Sequence, residues 1–386
     1  MNNLLQILFF SSIGLIVYSY ALYPSIIIAL NKLFRNKKQE LKQSLDPVTI
    51  VIAAFNEEKV IGTKLKSIFE SKFPMNQIQV LIGNDSSTDN TEEVVKSFQL
   101  KYPTIKLVNF KSRTGKIKII NELVKLVNTP VIIFTDANVI FTPNAIQNLI
   151  NPLTDRIVAC AAQIIKRIPA EKGISTQEIN YLNYENRIKQ AESELFKTVI
   201  GIEGGCFSIY KKNFIAIPDT FNVDDFYTTL SIIQQNKQIK FVEDAICFED
   251  ATTQSDVEFK RKVRISTGNF QNLFAFSSLL FQFWRLPVFA YWSHKVIRWF
   301  VPFLLILSIV FSSILAIHSR FYFVVFFFQL ILVQLAVIVN LFKIQNKFLK
   351  FISHFYYMNM ALLLGFVNFC KGVKTNVWEP TKRSVE

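Results

Sequence analysis

The apolar residues of this chain are concentrated at its two ends, and this segregation restricts the possible folds more than any other feature. Residues 4–30 contain no charged side chain, a length sufficient for a helix to cross the hydrocarbon core of a bilayer. Residues 47–270 have the mixed composition of a globular domain, and aromatic, apolar sequence returns after Asn269. The chain is therefore predicted to contain one globular domain between membrane-associated helices.

The first apolar run lacks a small-residue cleavage site and is interpreted as a signal anchor. Basic residues follow it, which places its end in the cytoplasm and the N-terminus outside. Residues 299–317 and 321–342 are long enough to span, whereas residues 351–369 are interpreted as an interfacial or re-entrant helix. The predicted domains are a transmembrane helix (1–31), a cytoplasmic catalytic domain (47–269), interfacial helices (270–298), a membrane region (299–370) and a cytoplasmic tail (371–386).

Charge and composition exclude several classes of function. The net charge of +14 could indicate nucleic acid, but many basic residues flank the apolar runs, so we expect a lipid bilayer and no nucleic acid. The four cysteines form no CxxC pair, which indicates neither a zinc site nor a disulfide framework. All three histidines lie outside the globular region, so a catalytic base there must be a carboxylate, unless it is a lysine, tyrosine or cysteine.

The globular region alternates short apolar runs with amphipathic segments. Strands are predicted at residues 49–54, 78–83, 105–110 and 131–135, and helices at 57–69, 90–98 and 116–126. This β-α-β-α order predicts an α/β domain with a mostly parallel sheet and helices on both faces.

Two of these predicted strands end in an aspartate. Asp85 and Asp136 each follow a buried-type run, and ligands of open α/β sheets bind at the carboxyl edge of the strands. Asp85 could accept a hydrogen bond from a uracil or a ribose hydroxyl, or belong to a polar turn. Asp136 and Asn138 are similar to a D-x-D motif that binds Mg²⁺ or Mn²⁺ together with a diphosphate, although Asp136 could also simply begin a loop.

Further motifs suit a nucleotide diphosphate. Phe55-Asn56-Glu57 precedes a helix whose N-terminus could hold an anion or a base edge, or these residues could only cap it. Arg113 and Lys116 flank a glycine and can contact a diphosphate, but without the spacing of an ATP-binding P-loop. The Asp224-Asp225 pair could supply a general base, or it could only favour a helix N-terminus. The cations of residues 260–264 could neutralise a diphosphate, or they could contact lipid head groups.

The order of these motifs is more specific than any one of them. N-E-E, N-D, R-x-G-K, D-A-N, G-G, D-D and R-K-x-R, flanked by membrane spans, resemble glycosyltransferase family 2. More narrowly, they resemble its membrane-embedded processive branch of cellulose, hyaluronan and poly-N-acetylglucosamine synthases. The resemblance covers roughly residues 47–300, and the tail is a weaker match.

The resemblance implies a GT-A fold, a UDP-sugar donor, Mg²⁺ or Mn²⁺, and inversion at the anomeric carbon. It implies Asp225 as general base with Asp224 beside it, and Asp136 with Asn138 at the metal. It assigns the following residues to the acceptor: Glu203, Gly204, Gly205 and Cys206. It assigns a larger set to the nucleotide sugar: Phe55, Glu57, Asp85, Arg113, Lys116, Asp136, Arg261, Arg264, Trp378, Thr381 and Arg383.

Two positions depart from the family pattern. Asn138 replaces the second acid of the metal motif, and Ile265 replaces a tryptophan that processive members carry after the arginine at Arg264. The resemblance therefore supports sugar transfer more strongly than processivity.

The predicted function is transfer of a sugar to a growing exopolysaccharide or capsule-type polymer by a multi-pass enzyme of the plasma (inner) membrane. The alternative acceptor is a lipid phosphate or a lipid-linked oligosaccharide that receives a single sugar. A second alternative is a non-catalytic membrane protein that binds nucleotide or takes part in transport. Because the chain has few spans, an accessory export subunit is a further expected partner.

Overall fold

The computed structural model describes residues 2–34, 44–167, 176–250 and 255–373. It divides into two compact units. We call the described residues between 30 and 250 the sheet unit, and the described residues of 1–29 and 255–372 the helical unit. The α-helices of the described residues, in chain order, are α1 Asn2–Val17, α2 Tyr23–Phe34, α3 Glu58–Phe69, α4 Thr91–Lys101, α5 Lys116–Lys125, α6 Ala145–Ile150, α7 Thr176–Leu195, α8 Asp224–Gln234, α9 Ser255–Ala275, α10 Ser277–Leu280, α11 Leu286–Tyr291, α12 Ile297–Ala316, α13 Arg320–Leu341 and α14 Lys347–Lys371.

The sheet unit is built on one eight-stranded sheet. Its strands are β1 Val48–Ala54, β2 Ile78–Asn84, β3 Ile105–Asn109, β4 Val131–Thr135, β5 Ile140–Phe141, β6 Ile157–Arg167, β7 Cys206–Tyr210 and β8 Gln238–Asp250. The order across the sheet is β3-β2-β1-β4-β7-β6-β8-β5. The four predicted strands correspond to β1 to β4 and differ from them by one residue at most at either end.

Parallel pairing joins β3, β2, β1 and β4 in one half of the sheet. β7 then runs antiparallel between β4 and β6, β6 pairs parallel with β8, and β5 pairs antiparallel with β8. The predicted α/β class with flanking helices is confirmed. The sheet, predicted to be mostly parallel, is mixed, with four parallel and three antiparallel strand pairs among the described residues.

Apolar side chains cover both faces of the sheet. Ile50 and Ile52 of β1 pack in one core with Ile61 of α3, while Val51 packs in a second core with Ile119 of α5. Successive side chains of a strand point to opposite faces, so β1 contributes to both cores. Helices on both faces leave the carboxyl ends of the parallel strands as the accessible edge for ligands.

Among the residues that the structure describes, three helical stretches are long and apolar enough to cross a membrane. They are Asn3–Phe34, Leu286–Ala316 and Arg320–Leu341. The second contains both the end of the predicted interfacial region (270–298) and the start of the predicted span at 299, and which part of it lies in the interface stays a prediction. A π-helical turn at Trp292–Val296 joins α11 to α12, so the backbone continues as one helix. Whether α14 crosses the bilayer or lies in its interface stays a prediction.

Helix α9 belongs to the helical unit and packs against α14. Phe270 and Phe366 lie with ring centroids 5.0 Å apart, and the Ser266 hydroxyl donates to the Leu362 carbonyl over 2.9 Å. A side chain at Gly365 would lie 2.3 Å from Ser266, so the glycine permits this close approach. The predicted boundary at residue 269 therefore falls inside α9, because this helix is amphipathic and continues past that residue.

Candidate active site

The residues that follow β1, β2 and β4 lie at one edge of the sheet. Phe55 and Asn56 follow β1, Asp85 follows β2, and Asp136 follows β4. Since these strands are parallel neighbours, their carboxyl ends meet. Asn56 adopts a left-handed backbone with φ of 53°, which asparagine tolerates better than most residues, and turns the chain sharply into α3.

Asp85 organises the loop before α5. Only 2% of the residue is exposed, and its carboxylate accepts hydrogen bonds from the backbone amides of Thr114 and Gly115. The Arg113 Nε donates to the same carboxylate over 3.2 Å. These three donors engage both oxygens of the carboxylate, which offers about four acceptor positions. In this structure Asp85 therefore holds the Arg113–Gly115 loop, and its predicted contact with the nucleotide stays a prediction.

Arg113 in turn lies flat over an aromatic ring. Its guanidinium carbon is 3.3 Å from the ring centroid of Phe55, a geometry that is favourable for a cation–π interaction. Glu57, predicted to contact the base, is buried, and its backbone amide donates to the Thr91 hydroxyl over 2.8 Å. Phe55 is buried beneath Arg113, and the two side chains form a flat shelf whose accessible part is the guanidinium, beside the carboxyl edge.

Lys116 connects two motifs that are far apart in the sequence. Its Nζ lies 2.9 Å from Asp136 Oδ1 and 3.4 Å from Asp224 Oδ2. Burial opposes the charge of Lys116, but Asp136 and Asp224 outweigh it and raise the pKa of the lysine above its ordinary value. Lys116 is therefore a permanent cation at the first position of α5, with 26% of its side chain exposed.

Asp225 lies next to this cation, at the start of α8. Its Oδ2 accepts a 2.7 Å hydrogen bond from the Gly204 amide. Burial and the neighbouring Asp224 charge raise the pKa of Asp225 to about 7, against the opposing effect of Lys116 and two backbone amides. A carboxylate whose pKa lies near neutrality suits a general base at physiological pH.

A small cleft joins these groups. Its polar lining comes from Lys116, Asp136, Gly204 and Asp224, and apolar side chains of β1, β4 and α5 complete it. The structure thus brings together the predicted R-x-G-K, D-A-N, G-G and D-D motifs. The arrangement places a partly buried cation against two carboxylates, with Asp225 next to one of them, Asp224, in the sequence.

The residues present fit a divalent cation that is coordinated partly by the protein and partly by a phosphate. Asp136 supplies one carboxylate with 38% of its side chain exposed, and Asn138 offers an uncharged amide oxygen while its Nδ2 donates to Glu249 Oε1 over 3.2 Å. The described residues contain no group of three or more histidine, cysteine or acidic side chains that could hold a metal. Mg²⁺ and Mn²⁺ commonly take one or two protein carboxylates and complete their shell with phosphate oxygens and water, which suits this donor set.

The predicted acceptor residues separate in the structure. Glu203 is 29% exposed and forms an ion pair with Lys189 of α7. A side chain at Gly204 would come within 2.9 Å of Asp225 Oδ2, so only glycine fits there without displacing the carboxylate. Cys206, by contrast, is fully buried in β7, and its thiol lies in the core. The prediction that Cys206 lines the acceptor site is therefore wrong for this structure, because β7 is an interior strand.

The remaining predicted donor residues belong to α9 and to the tail. Arg261 and Arg264 belong to α9 in the helical unit, where Arg261 is 3.6 Å from Glu258, and their contact with a donor stays a prediction. Trp378, Thr381 and Arg383 lie outside the described residues.

One lysine that no sequence motif indicated contacts the residues on either side of the D-A-N loop. Lys64 is fully buried on α3, and burial lowers its pKa to about 8. The available signal was its spacing: it lies three residues after Ile61 and four before Ile68, on the apolar stripe of the helix.

Comparison with known proteins agrees with this site. Residues 49–216 match the domain described as glycosyl transferase family 2. The probable glycosyltransferase YdaM of Bacillus subtilis is 25% identical over 295 residues, which cover 74% of this chain and 69% of YdaM. The poly-β-1,6-N-acetyl-D-glucosamine synthase of Staphylococcus epidermidis is 23% identical over 237 residues, which cover 60% of this chain and only 56% of the synthase.

A solved structure covers almost the whole chain. The mannosyltransferase PcManGT from Pyrobaculum calidifontis, in complex with GDP-Man and Mn²⁺, aligns with a TM-score of 0.69 at 17% identity, over 94% of this chain and 99% of PcManGT. At this identity the likeness shows the fold, which is GT-A as predicted. The matched domain and the two relatives described above show that residues 49–216 form a glycosyl transferase family 2 domain and that the chain is a glycosyltransferase.

Proposed function

We propose that this protein is a membrane-bound inverting transferase that moves a sugar from a UDP-sugar to a growing polysaccharide. The observation that carries the proposal is the contact of Lys116 with both Asp136 and Asp224 in one cleft. Gly204 also lines this cleft, and its amide donates to Asp225. A fixed cation for a diphosphate and a carboxylate of near-neutral pKa are the two groups that glycosyl transfer requires on opposite sides of the sugar.

The donor is assigned to the shelf and the cation. Phe55 and Arg113 offer a flat surface for the nucleobase, and Lys116 contributes a positive charge for the diphosphate. Asp136, with Asn138, would hold Mg²⁺ or Mn²⁺, which when bound supplies further positive charge to the departing UDP. The PcManGT complex contains Mn²⁺, and its donor is GDP-Man, so the choice of nucleotide is part of the test below.

The proton transfer is assigned to Asp225. Its carboxylate accepts the proton of the acceptor hydroxyl as the hydroxyl oxygen forms a bond to the anomeric carbon, while the bond from that carbon to the diphosphate breaks. Attack from the side opposite the diphosphate inverts the anomeric centre, and no covalent intermediate with the protein is needed. The Gly204 amide holds the Asp225 carboxylate in place. Asp224 forms an ion pair with Lys116, and we assign the proton to Asp225 rather than to Asp224 for that reason.

The polymeric acceptor is proposed from the relatives. The Staphylococcus epidermidis relative is named a poly-β-1,6-N-acetyl-D-glucosamine synthase, and three helices of this chain suit a membrane. We place the catalytic domain on the cytoplasmic side of the plasma membrane, where nucleotide sugars are made. The same proposal includes Arg264 and the 378–383 segment at the donor and an accessory subunit in export.

A donor screen on the purified full chain in detergent tests the proposal. UDP-glucose, UDP-N-acetylglucosamine, UDP-glucuronate and GDP-mannose are each supplied with Mn²⁺ or Mg²⁺, and the release of nucleoside diphosphate is measured. We expect release from one UDP-sugar and a ladder of labelled products. A single addition to a lipid phosphate or a lipid-linked oligosaccharide would replace the polymer by that acceptor. Nucleotide binding with no release from any donor would instead support a non-catalytic nucleotide-binding protein.

A further inference from the structure

Lys64 is a charged group in an apolar environment. It lies on α3 between Ile61 and Leu65, whose side chains belong to the core on that face of the sheet, and its exposed fraction is 0%. Moving an ammonium group out of water costs several kcal/mol unless a partner compensates. Among the described residues, none of the hydrogen-bond or ion-pair partners of Lys64 is a carboxylate.

The partners of Lys64 flank the D-A-N loop on both sides. Its Nζ donates to the Thr135 hydroxyl over 2.9 Å and to the Val139 carbonyl, and it lies 3.3 Å from the ring centroid of Phe141. Thr135 immediately precedes Asp136, and Val139 immediately follows Asn138. The ammonium group of Lys64 therefore donates hydrogen bonds to the residues at both ends of the segment that carries the candidate metal residues.

The same contacts continue toward the base. The Thr135 hydroxyl donates to the Gly205 carbonyl over 2.9 Å, and the Asp136 amide donates to that carbonyl over 3.2 Å. The preceding residue, Gly204, holds Asp225 through its amide. Lys64 is thus connected to Gly205 through two hydrogen bonds, and the backbone then leads to Gly204, whose amide holds Asp225.

We propose that Lys64 is a positioning residue, whose buried ammonium group fixes the Asp136–Asn138 loop in the geometry that binds the diphosphate of the donor. The inference rests on the proposed function. Fold stability alone does not account for the lysine, because a methionine of similar length fills the same space without desolvation of a charge. The carbonyl of Val139 and the hydroxyl of Thr135 are groups that a buried cation can orient and a methionine cannot.

The test compares Lys64→Met with a matched variant on the same helix. Ser67→Ala removes a buried hydroxyl that donates to the Lys64 carbonyl over 2.8 Å and accepts from the Phe141 amide over 3.2 Å, and neither partner belongs to the D-A-N loop. For Lys64→Met we expect a thermal midpoint equal to or above that of the wild type and faster amide hydrogen exchange confined to residues 135–139. Because outer contacts of this kind typically change metal affinity or activity about 10- to 100-fold, we expect the Kd for UDP with Mn²⁺ to rise by about that factor. Ser67→Ala should leave both the exchange of this loop and the Kd at wild-type values.

A second variant separates positioning from folding. Lys64→Gln keeps a hydrogen-bond donor without the charge and should give a loop exchange rate and a Kd between those of the wild type and Lys64→Met. Wild-type exchange and wild-type Kd in Lys64→Met would overturn the proposal. A lowered thermal midpoint with faster exchange throughout the sheet unit in both variants would also overturn it, since that result indicates a purely structural lysine. Exchange and UDP binding are read without turnover, so a wild type that transfers no sugar would refute the proposed function and leave this test intact.

Discussion

The near-neutral pKa of Asp225 predicts how the rate depends on pH. In the free protein, burial and the Asp224 charge keep the Asp225 carboxyl partly protonated at pH 7. A general base must be unprotonated to accept the acceptor proton, so activity should rise with pH through about 7. An ordinary exposed aspartate would already be fully ionised two units lower.

The magnitude follows from the protonated fraction. With a pKa of about 7, roughly a tenth of the carboxylate is ionised at pH 6, so kcat/KM there should be about a tenth of its plateau above pH 8. The stability changes in the opposite direction. Because the pKa of the folded state is raised above that of the unfolded chain, the folded state binds the proton more tightly. The resulting stabilisation is fully present below about pH 4 and is lost as the pH rises through about 7, amounting to a few kcal/mol at most.

The assay is kcat/KM for the donor between pH 5.5 and 9, with Asp224→Asn measured in parallel. Removal of the Asp224 charge lowers the pKa of Asp225, so the acidic limb of this variant should move to lower pH. A flat profile between pH 5.5 and 8, or an acidic limb that Asp224→Asn leaves in place, would refute the assignment of Asp225 as the titrating base.

Three substitutions test the surrounding contacts. Gly204→Ala places a methyl group 2.9 Å from Asp225 Oδ2, and we expect kcat to fall about 100-fold with little change in the Kd for UDP; an unchanged kcat would exclude the Gly204–Asp225 contact from the mechanism. Lys116→Met leaves Asp136 and Asp224 without their shared cation, so chemical denaturation should show a loss of about 1–2 kcal/mol in the free energy of unfolding. We also expect weaker UDP binding, and an unchanged UDP affinity would show that Lys116 does not contact the diphosphate. Phe55→Ala removes the shelf for the base, and calorimetry should show UDP affinity lowered about tenfold while kcat at saturating donor is retained; equal UDP affinity would place the base elsewhere.

The first half of the sheet was predictable because its signals are local. β1 to β4 are short apolar runs separated by amphipathic helices, and a parallel strand needs such a crossover. The second half depends on pairings between distant segments. Nothing near Cys206 in the sequence indicates that β7 inserts antiparallel between β4 and β6, and for that reason the burial of Cys206 was missed.

The site shows the same division. Neighbouring parallel strands must bring Asp85 and Asp136 to one edge, so their shared edge followed from the pattern. The partners of each carboxylate did not follow, because hydrogen bonds from loop amides carry no residue signature. Asp85 accepts from the Thr114 and Gly115 amides, which any residue other than proline could supply. The burial of Lys64 was not predicted, because a lysine on a helix is ordinarily exposed.

The most direct test of the central claim is a paired measurement on Asp225→Asn. Transfer of labelled sugar and the Kd for UDP with Mn²⁺ are determined on the same purified preparation as for the wild type. The asparagine retains the shape of the side chain and cannot accept a proton, so we predict that transfer is abolished and that the Kd stays within about twofold of wild type. Retained transfer, or a parallel loss of transfer and UDP binding, would contradict the claim that Asp225 is the base of this cleft.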